Sequence, residues 1–425
     1  MRYIYTFIFY LAVPFIWFFM WFKGRKDPDY AKRHMERYGF YKNLLKPKPK
    51  GIVVHASSVG EVMVATPLVK ALQAHYPDLA ITFTCMTPTG SDQIKKTFGE
   101  SVTHCYLPFD LPFAIKRFLR FIDPKAVIII ETELWANLFY ALKRQNIALM
   151  IANARLSARS SARYAKFQKT MGEILQCVDL IAAQDKLSAD RYLAIGATPK
   201  QVKVTGNIKY DLTPSAEIYK KINENQGVFN KRPVWVAAST HEGEEEIILE
   251  AHQKLRTKFP DLLLVLVPRH LERFDAVADL IKAKNLGFVR RSEHQSVKNE
   301  AVLLADTMGE LLFFYGLCDV AFIGGSLITR GGHNPLEAAA FKKPIVSGIE
   351  VFNFHDVYQQ LNDAKAVNWA DKTAESVANE VGYLLQNPQE RTRNGEAAYA
   401  VLQRNQGALE KLLGFMQPYL ENKND

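Results

Sequence analysis

The chain has 425 residues, 48% of them apolar and 23% charged, with a net charge of +10. That length and make-up point to a globular protein of two domains and exclude a disordered or low-complexity chain. Four scattered cysteines, Cys85, Cys105, Cys177 and Cys318, form no Cys-x-x-Cys, which argues against a disulfide framework and a zinc site. The first element is Tyr3 to Phe22, a run without charge and dense in Phe, Trp, Ile and Leu. It is long enough to cross a bilayer as a helix, kinked at Pro14, and no small-x-small site for signal-peptide cleavage follows it. Lys23-Gly24-Arg25-Lys26 closes the run, so the positive-inside rule keeps the remainder in the cytoplasm. A helix lying in the membrane interface is the alternative. From Lys23 to Lys50, ten Lys or Arg stand against three Asp or Glu. Such an apron favours anionic lipid, and no nucleic-acid motif accompanies it.

After the stiff Lys46-Pro47-Lys48-Pro49-Lys50 the pattern becomes α/β. Apolar strands are expected at 51–56, 80–84, 126–130, 147–151, 180–183 and 202–205, with helices between them. Ala126 to Ile130 is apolar throughout, as in a parallel sheet covered on both faces. The polar stretch 213–232 reads as a linker. The rhythm restarts at Val234, with strands expected at 263–267, 301–304, 320–323 and 344–347. The expected layout is an anchor with basic flank over 1–26, a basic juxtamembrane segment over 27–50, one doubly wound domain over 51–212, the linker over 213–232 and a second doubly wound domain over 233–425. Ligands of such sheets bind at the carboxyl ends of the strands, which makes a cleft between the domains the expected site.

Candidate chemistry follows those strand ends. Glu61 comes just after the first strand and could take a proton from a hydroxyl; it could equally be a first-turn helix charge, unless the helix starts later, at Thr66-Pro67. Glu131 and Glu133 end the strand at 126–130, where acidic groups need a partner or a use. Lys209, in Gly206-Asn207-Ile208-Lys209-Tyr210-Asp211, could neutralise charge developing on a phosphate, or be a solvated loop lysine. Arg269, in Pro268-Arg269-His270, has a fork suited to phosphate. Thr307-Met308-Gly309-Glu310 could frame a base through its backbone, with Thr307 or Asp306 capping the next helix. Gly324-Gly325-Ser326 through Gly332-His333-Asn334-Pro335-Leu336-Glu337 reads as strand, glycine-rich loop and helix start. Its backbone N–H groups could receive an anion, and Glu337 could hold a ribose or close a capping box on Asn334. There is no His-Glu-x-x-His and no Gly-x-x-x-x-Gly-Lys-Ser/Thr loop; the one Asp-x-Asp, Asp27-Pro28-Asp29, lies beside the apolar run.

Taken in order, His55-Ala56-Ser57-Ser58-Val59-Gly60-Glu61, Glu131-Thr132-Glu133-Leu134-Trp135, Asn153-Ala154-Arg155-Leu156-Ser157, the Lys209 and Arg269 motifs and Gly332 to Ala338 resemble the 3-deoxy-D-manno-octulosonic acid (Kdo) transferases of lipopolysaccharide synthesis. The resemblance runs over almost the whole chain. It implies a GT-B fold of two Rossmann-like domains facing a cleft, and transfer of Kdo from CMP-Kdo to the lipid A precursor, lipid IVA, at the cytoplasmic side of the inner membrane, with a single-pass anchor. It further implies inversion, no metal and no cofactor besides the donor. Glu61 would be the general base, and Glu131 and Lys209 would stabilise the transition state. Pro268, Arg269, Met308, Gly309, Glu310, Asn334, Pro335, Leu336 and Glu337 would hold CMP. His55 and Ser57 match the motif without an assigned step. Ala136 stands where the family pattern has Pro before Asn137. A GT-B transferase using another nucleotide sugar on a membrane lipid is the alternative.

Overall fold

The computed structural model describes residues 2–26, 28–30, 32–42 and 44–421; Asp27 of the Asp-x-Asp lies outside them. The chain forms two compact units, Met1–Asp211 with Gln406–Asp425, and Leu212–Asn405. The helix Arg2–Lys26 opens the first unit. Among the described residues it is the one helix long and apolar enough to cross a membrane, with a mean hydropathy of 1.8.

The first unit holds a seven-stranded parallel sheet of β1 (Ile52–His55), β2 (Ile81–Cys85), β3 (Thr103–Tyr106), β4 (Ala126–Ile130), β5 (Ala148–Ala154), β6 (Leu180–Ala183) and β7 (Val202–Val204), in the order β3-β2-β1-β4-β5-β6-β7. Strand residues point alternately to opposite faces. Val53, Val127 and Ile129 therefore enter one apolar core, while Ile52, Val54, Ala126, Ile128 and Ile130 enter another. Both faces are covered, which is why β1 and β4 are apolar without alternation. The order reverses between β1 and β4, so the ends of these two strands flank the natural ligand position.

The second unit repeats the plan with β8 (Val234–Thr240), β9 (Leu263–Pro268), β10 (Phe288–Arg290), β11 (Val302–Leu304), β12 (Val320–Ile323), β13 (Ile345–Ser347) and β14 (Val367–Trp369), all parallel, in the order β10-β11-β9-β8-β12-β13-β14. Its reversal lies between β8 and β12.

Two expected boundaries are corrected. The stretch 213–232 is not a bare linker: Ser215 caps a helix, Ala216–Glu224, whose Ile222 is buried against the close-packed Gly316 of the second unit. The second domain does not run to 425 either. The helix Ala408–Leu420 puts Leu412, Met416 and Leu420 into the same core as Ile52, Val54 and Ile128 of the first unit. The Asp211 carboxylate accepts from the Gly407 and Leu409 N–H groups at 2.6 and 2.5 Å, pinning this helix start, which also favours a negative charge. Apolar periodicity tells that a helix is buried, not which core receives it.

Candidate active site

In the first unit the helix Val59–His75 begins directly after β1, with Ser58 as its N-cap. The later start at Thr66-Pro67 is not used, and Pro67 sits inside the helix. Glu61 is therefore in the first turn. Its N–H donates to Ser58 Oγ at 3.3 Å, while its carboxylate accepts from the Ser57 N–H at 2.7 Å and the Ser58 hydroxyl at 3.2 Å. This is a reciprocal capping arrangement. Burial nevertheless dominates the carboxyl, and together with the charges of Glu131 and Glu133 it raises the pKa to about 7 against the two hydrogen bonds.

Glu131 follows β4 with a left-handed backbone, φ 61°, and its N–H reaches the Ala152 carbonyl of β5. Its carboxylate lies 3.7 Å from Lys209 Nζ. Lys209 is positioned in turn: Asn207 Oδ1 accepts the Lys209 N–H at 3.0 Å, and Asn153 Oδ1 accepts the Ile208 N–H at 3.0 Å. The fully buried Asn153, also left-handed at φ 51°, thus couples β5 to the lysine turn. Lysine and glutamate here form an ion pair, not the solvated loop alternative.

His55 and Ser57 now have a place. His55, the last residue of β1, is fully buried. Its Nδ1 meets Thr84 Oγ1 at 2.9 Å, and its Nε2 faces Ser57 Oγ at 3.2 Å and Glu133 Oε2 at 3.7 Å. Burial alone would raise Glu133, but His55, Ser57 and Trp135 hold it below the usual carboxylate value. Glu133, His55 and Ser57 form a chain that ends at the Ser57 N–H bonded to Glu61. Sequence reasoning left His55 and Ser57 without a role because their partner, Glu133, comes from the loop after β4, more than seventy residues away. The missing Pro at Ala136 changes little here: the Asp110 carboxylate caps that helix by accepting the Asn137 and Leu138 N–H groups, each at 2.8 Å.

In the second unit the glycine-rich loop after β12 departs from expectation. The N–H groups of Gly325, Ser326 and Leu327 donate to the carboxylate of Glu244 at 2.7, 3.0 and 3.0 Å, and the His241 N–H does so at 3.1 Å. Glu244 is fully buried after β8. The anion that this part of the loop cradles is the chain's own, and these donors are taken. The glycines still serve close approach: a Cβ on Gly324 would collide with the Ala238 and Ser239 carbonyls of β8.

The next turn is also shorter than expected. The helical segment is only Leu336–Ala339, preceded by Pro335. Asn334 Oδ1 accepts the Leu336 N–H at 3.1 Å. Burial raises Glu337 to about 7, opposed by the charge of Arg269. Arg269 itself is exposed just past β9, its N–H on the Thr240 carbonyl at 3.0 Å. Beside it, the His241 and His333 rings stack with their planes 6° apart, Nε2 to Nε2 at 2.8 Å, and His270 meets His241 edge-on. Burial, helped by neighbouring Arg and His charges, lowers His241 to about 4 and His333 to about 3. The pair is neutral at physiological pH, with one ring donating to the other. Val234 to Glu244 parallels Ile52 to Glu61 in sequence, but that likeness assigns no role to His241 or Glu244, whose partners come from the loop after β12.

Met308 and Gly309 occupy an open turn, Met308 largely exposed and Gly309 at φ 87°. The side chain of Glu310 is committed elsewhere: it accepts from Arg291 twice and from Lys221, each at 3.0 Å, and from Thr307 at 2.6 Å. The Arg291 bonds hold its pKa at about 2. Neither Thr307 nor Asp306 caps the helix Leu311–Leu317; Asp306 binds Arg290 and Ser292 instead. The backbone of this turn and the Met308 side chain are open to a ligand, and the Glu310 carboxylate is not.

Comparison with known proteins gives the family and the fold. The family described as 3-Deoxy-D-manno-octulosonic-acid transferase (kdotransferase) matches residues 32–212. The chain is 49% identical over 422 residues to the 3-deoxy-D-manno-octulosonic acid transferase of Haemophilus influenzae, covering 99% of each chain. It is 32% identical over 434 residues to the protein of the same name from Bordetella pertussis, again over 99% of both. Among solved structures, a glycosyltransferase from Rickettsia africae matches 88% of this chain and 100% of its own, with a TM-score of 0.56 at 15% identity, which shows a shared fold. The chain belongs to the 3-deoxy-D-manno-octulosonic acid transferases, glycosyltransferases of GT-B type built on two Rossmann-like units.

Proposed function

We propose that this transferase moves Kdo from CMP-Kdo to the lipid A precursor, lipid IVA, with inversion and without a metal, and that Glu61 is its general base. The observation that carries the base assignment is the Glu61 carboxyl beside the β1–β4 reversal, with its pKa raised to about 7. A base acts best when it titrates near the working pH. In the reaction a primary hydroxyl of the acceptor gives its proton to Glu61 while its oxygen bonds to the anomeric carbon. The bond from that carbon to the CMP phosphate oxygen breaks, and the electron pair leaves with CMP. Lys209, paired with Glu131, meets charge developing in the transition state. Arg269 faces the nucleotide phosphate, and Glu337, Asn334, Pro335 and Leu336, with the backbone of Pro268 and of the Met308–Glu310 turn, hold CMP. The Glu133, His55 and Ser57 chain orients the Glu61 carboxylate through the Ser57 N–H.

The acceptor is an anionic glycolipid, so the enzyme works at the cytoplasmic face of the inner membrane, held by Arg2–Lys26 and its basic flank. Two of the ten basic residues do not join that flank. Arg37 is buried and donates to the Met86 carbonyl, and Arg33 binds Glu36 and Ser91.

The test is to incubate the detergent-solubilised protein with freshly made CMP-Kdo and tetraacyl lipid A precursor and to weigh the lipid. The expected outcome is a gain of one or more Kdo units with equivalent CMP release. No gain and no CMP release beside an active control enzyme would overturn the donor assignment and turn attention to other nucleotide sugars.

A further inference from the structure

The apolar helix Arg2–Lys26 does not stand clear of the first unit. Tyr5, Thr6, Phe9, Ala12, Val13 and Ile16 are its half-buried residues up to mid-length, a single stripe at helical spacing. Phe9, Val13 and Ile16 pack on Phe109, Leu111 and Ala114. Near the start of the helix, the Tyr5 hydroxyl donates to the buried Asp110 carboxylate at 2.9 Å and the Thr6 hydroxyl to Asn137 Oδ1 at 2.9 Å. At the other end, Lys23 lies over the Tyr30 ring at 4.6 Å. The first half of the helix is thus docked on the unit, and its far end contacts the segment that directly follows it.

A crossing helix cannot satisfy these contacts. Tyr5 and Lys23 are separated by about 27 Å along a helix axis, nearly the thickness of a hydrocarbon core. If Lys23 marks the near surface, Tyr5 lies at the far one, out of reach of Asp110. The docked stretch from Tyr5 to Ile16 takes up about 16 Å of helix, and the remainder to Lys26 is about 15 Å, half of what a span requires.

The free face points the same way. Tyr3, Tyr10 and Trp17 recur every seventh residue and are 87%, 45% and 59% exposed, with Trp21 at 46%. Seven residues are close to two turns, so these side chains form one line along the whole helix. Tyr and Trp favour the headgroup level. A crossing helix would put Tyr10 and Trp17 inside the hydrocarbon; an in-plane helix keeps the whole line at one depth. The absence of a polar face is then no objection, because the face turned from the lipid meets apolar protein instead of water.

We propose that Arg2–Lys26 lies in the plane of the membrane, one face docked on the first unit and the other sunk among the lipid headgroups and upper chains, and that it does not cross. The exposed Lys32, Lys42, Lys46, Lys48 and Lys50, on the segment that follows the helix, match an anionic lipid surface. This rests on the reading that the enzyme works at a membrane, and it replaces the single-pass anchor expected from hydropathy.

The test uses the full chain and an impermeant maleimide. The four native cysteines are buried and give a low background. One variant carries a short neutral Gly-Ser extension with one cysteine ahead of Met1. The other is Leu45→Cys, at a position 92% exposed on the juxtamembrane segment. Each is labelled in spheroplasts and in inverted vesicles. Both reporters on the same side, with at least about tenfold more label there than on the other, supports an in-plane helix. Reporters on opposite sides overturn it, as does recovery of the chain in the soluble fraction. Which side the two share tests the cytoplasmic placement separately. Kdo transfer measured on the same membranes tests the donor reading, so the failure of either is told apart from failure of the topology.

Discussion

Ile52 to Glu61 and Val234 to Glu244 follow the same course: a buried strand, small residues including Ser, then Gly-Glu at the start of a helix. The two glutamates meet different surroundings. Glu61 remains partly exposed, receives one backbone N–H and one hydroxyl, and has Glu131 and Glu133 nearby. Glu244 is fully buried and receives four backbone N–H groups, three of them from the glycine-rich loop after β12. The number and kind of donors that tertiary structure brings to a carboxylate decides whether it is free to react or is part of the frame. Burial raises both carboxyls, but the two donors of Glu61 leave it lone pairs for chemistry, whereas the four of Glu244 leave none.

The sharpest way to break this comparison is to substitute each glutamate and read both turnover and stability. Glu61→Gln should lower kcat by roughly 10²–10⁴-fold with little change in melting temperature at neutral pH, as for loss of a general base. Turnover within a few-fold of the parent would remove the base assignment. Glu244→Ala should do the reverse in origin: four buried N–H groups lose their acceptor, for a loss of about 3–5 kcal/mol in the second unit, with any fall in activity following from unfolding. An unchanged thermal transition would show that the loop does not depend on this clasp. His55→Ala should reduce kcat by about tenfold, since it removes the hydrogen bond to Ser57 and the facing charge of Glu133 without touching Glu61. If KM alone rose, His55 would belong to acceptor binding instead.

The smallest effect is a pH dependence. The Glu61 carboxyl titrates near about 4.3 when unfolded and is raised to about 7 in the fold. Its raised value favours the fold in the protonated form. That contribution is complete below the unfolded value and is lost as pH rises toward and through about 7. Glu337, also raised to about 7, acts in the same interval. Activity should run oppositely, with kcat/KM rising through about 7 as the base is freed. Calorimetry and a pH–rate profile check both signs. An acid limb at ordinary carboxylate pH would place the base elsewhere, and Glu61→Gln should flatten part of the stability slope while Glu337 keeps the rest.

Much of the frame was legible. Central strands such as β1, β4, β8 and β12 announce themselves because both faces are buried, so they are apolar up to their carboxyl ends, where His55, Ser239 and Thr240 stand. Three strands carry no such signature: Thr103–Tyr106, Phe288–Arg290 and Val367–Trp369. Each is an edge of its sheet, short and with polar residues that one-sided pairing allows. The candidate residues were legible as motifs at strand ends, because a parallel sheet gathers its ligand contacts there. Their partners were not. Nothing local in the sequence tells that Glu310 is held by Arg291 and Lys221, or that Asp211 pins a helix that begins near residue 408.

By itself the sequence determined the class of each segment: an apolar helix, two series of parallel strands, and the residue types waiting at their ends. Those properties depend on composition and period over a few neighbouring residues. The tertiary structure alone decided that Glu131 and Glu133 come up to Glu61, which donors reach Glu244, into which core Ala408–Leu420 is returned, and that Tyr5 bonds to Asp110. The physical reason is one of range. Burial of apolar surface is non-directional and can be read from pattern. A hydrogen bond or an ion pair has to be met by a specific atom within about 3–4 Å, and the chain delivers that atom from a hundred residues away.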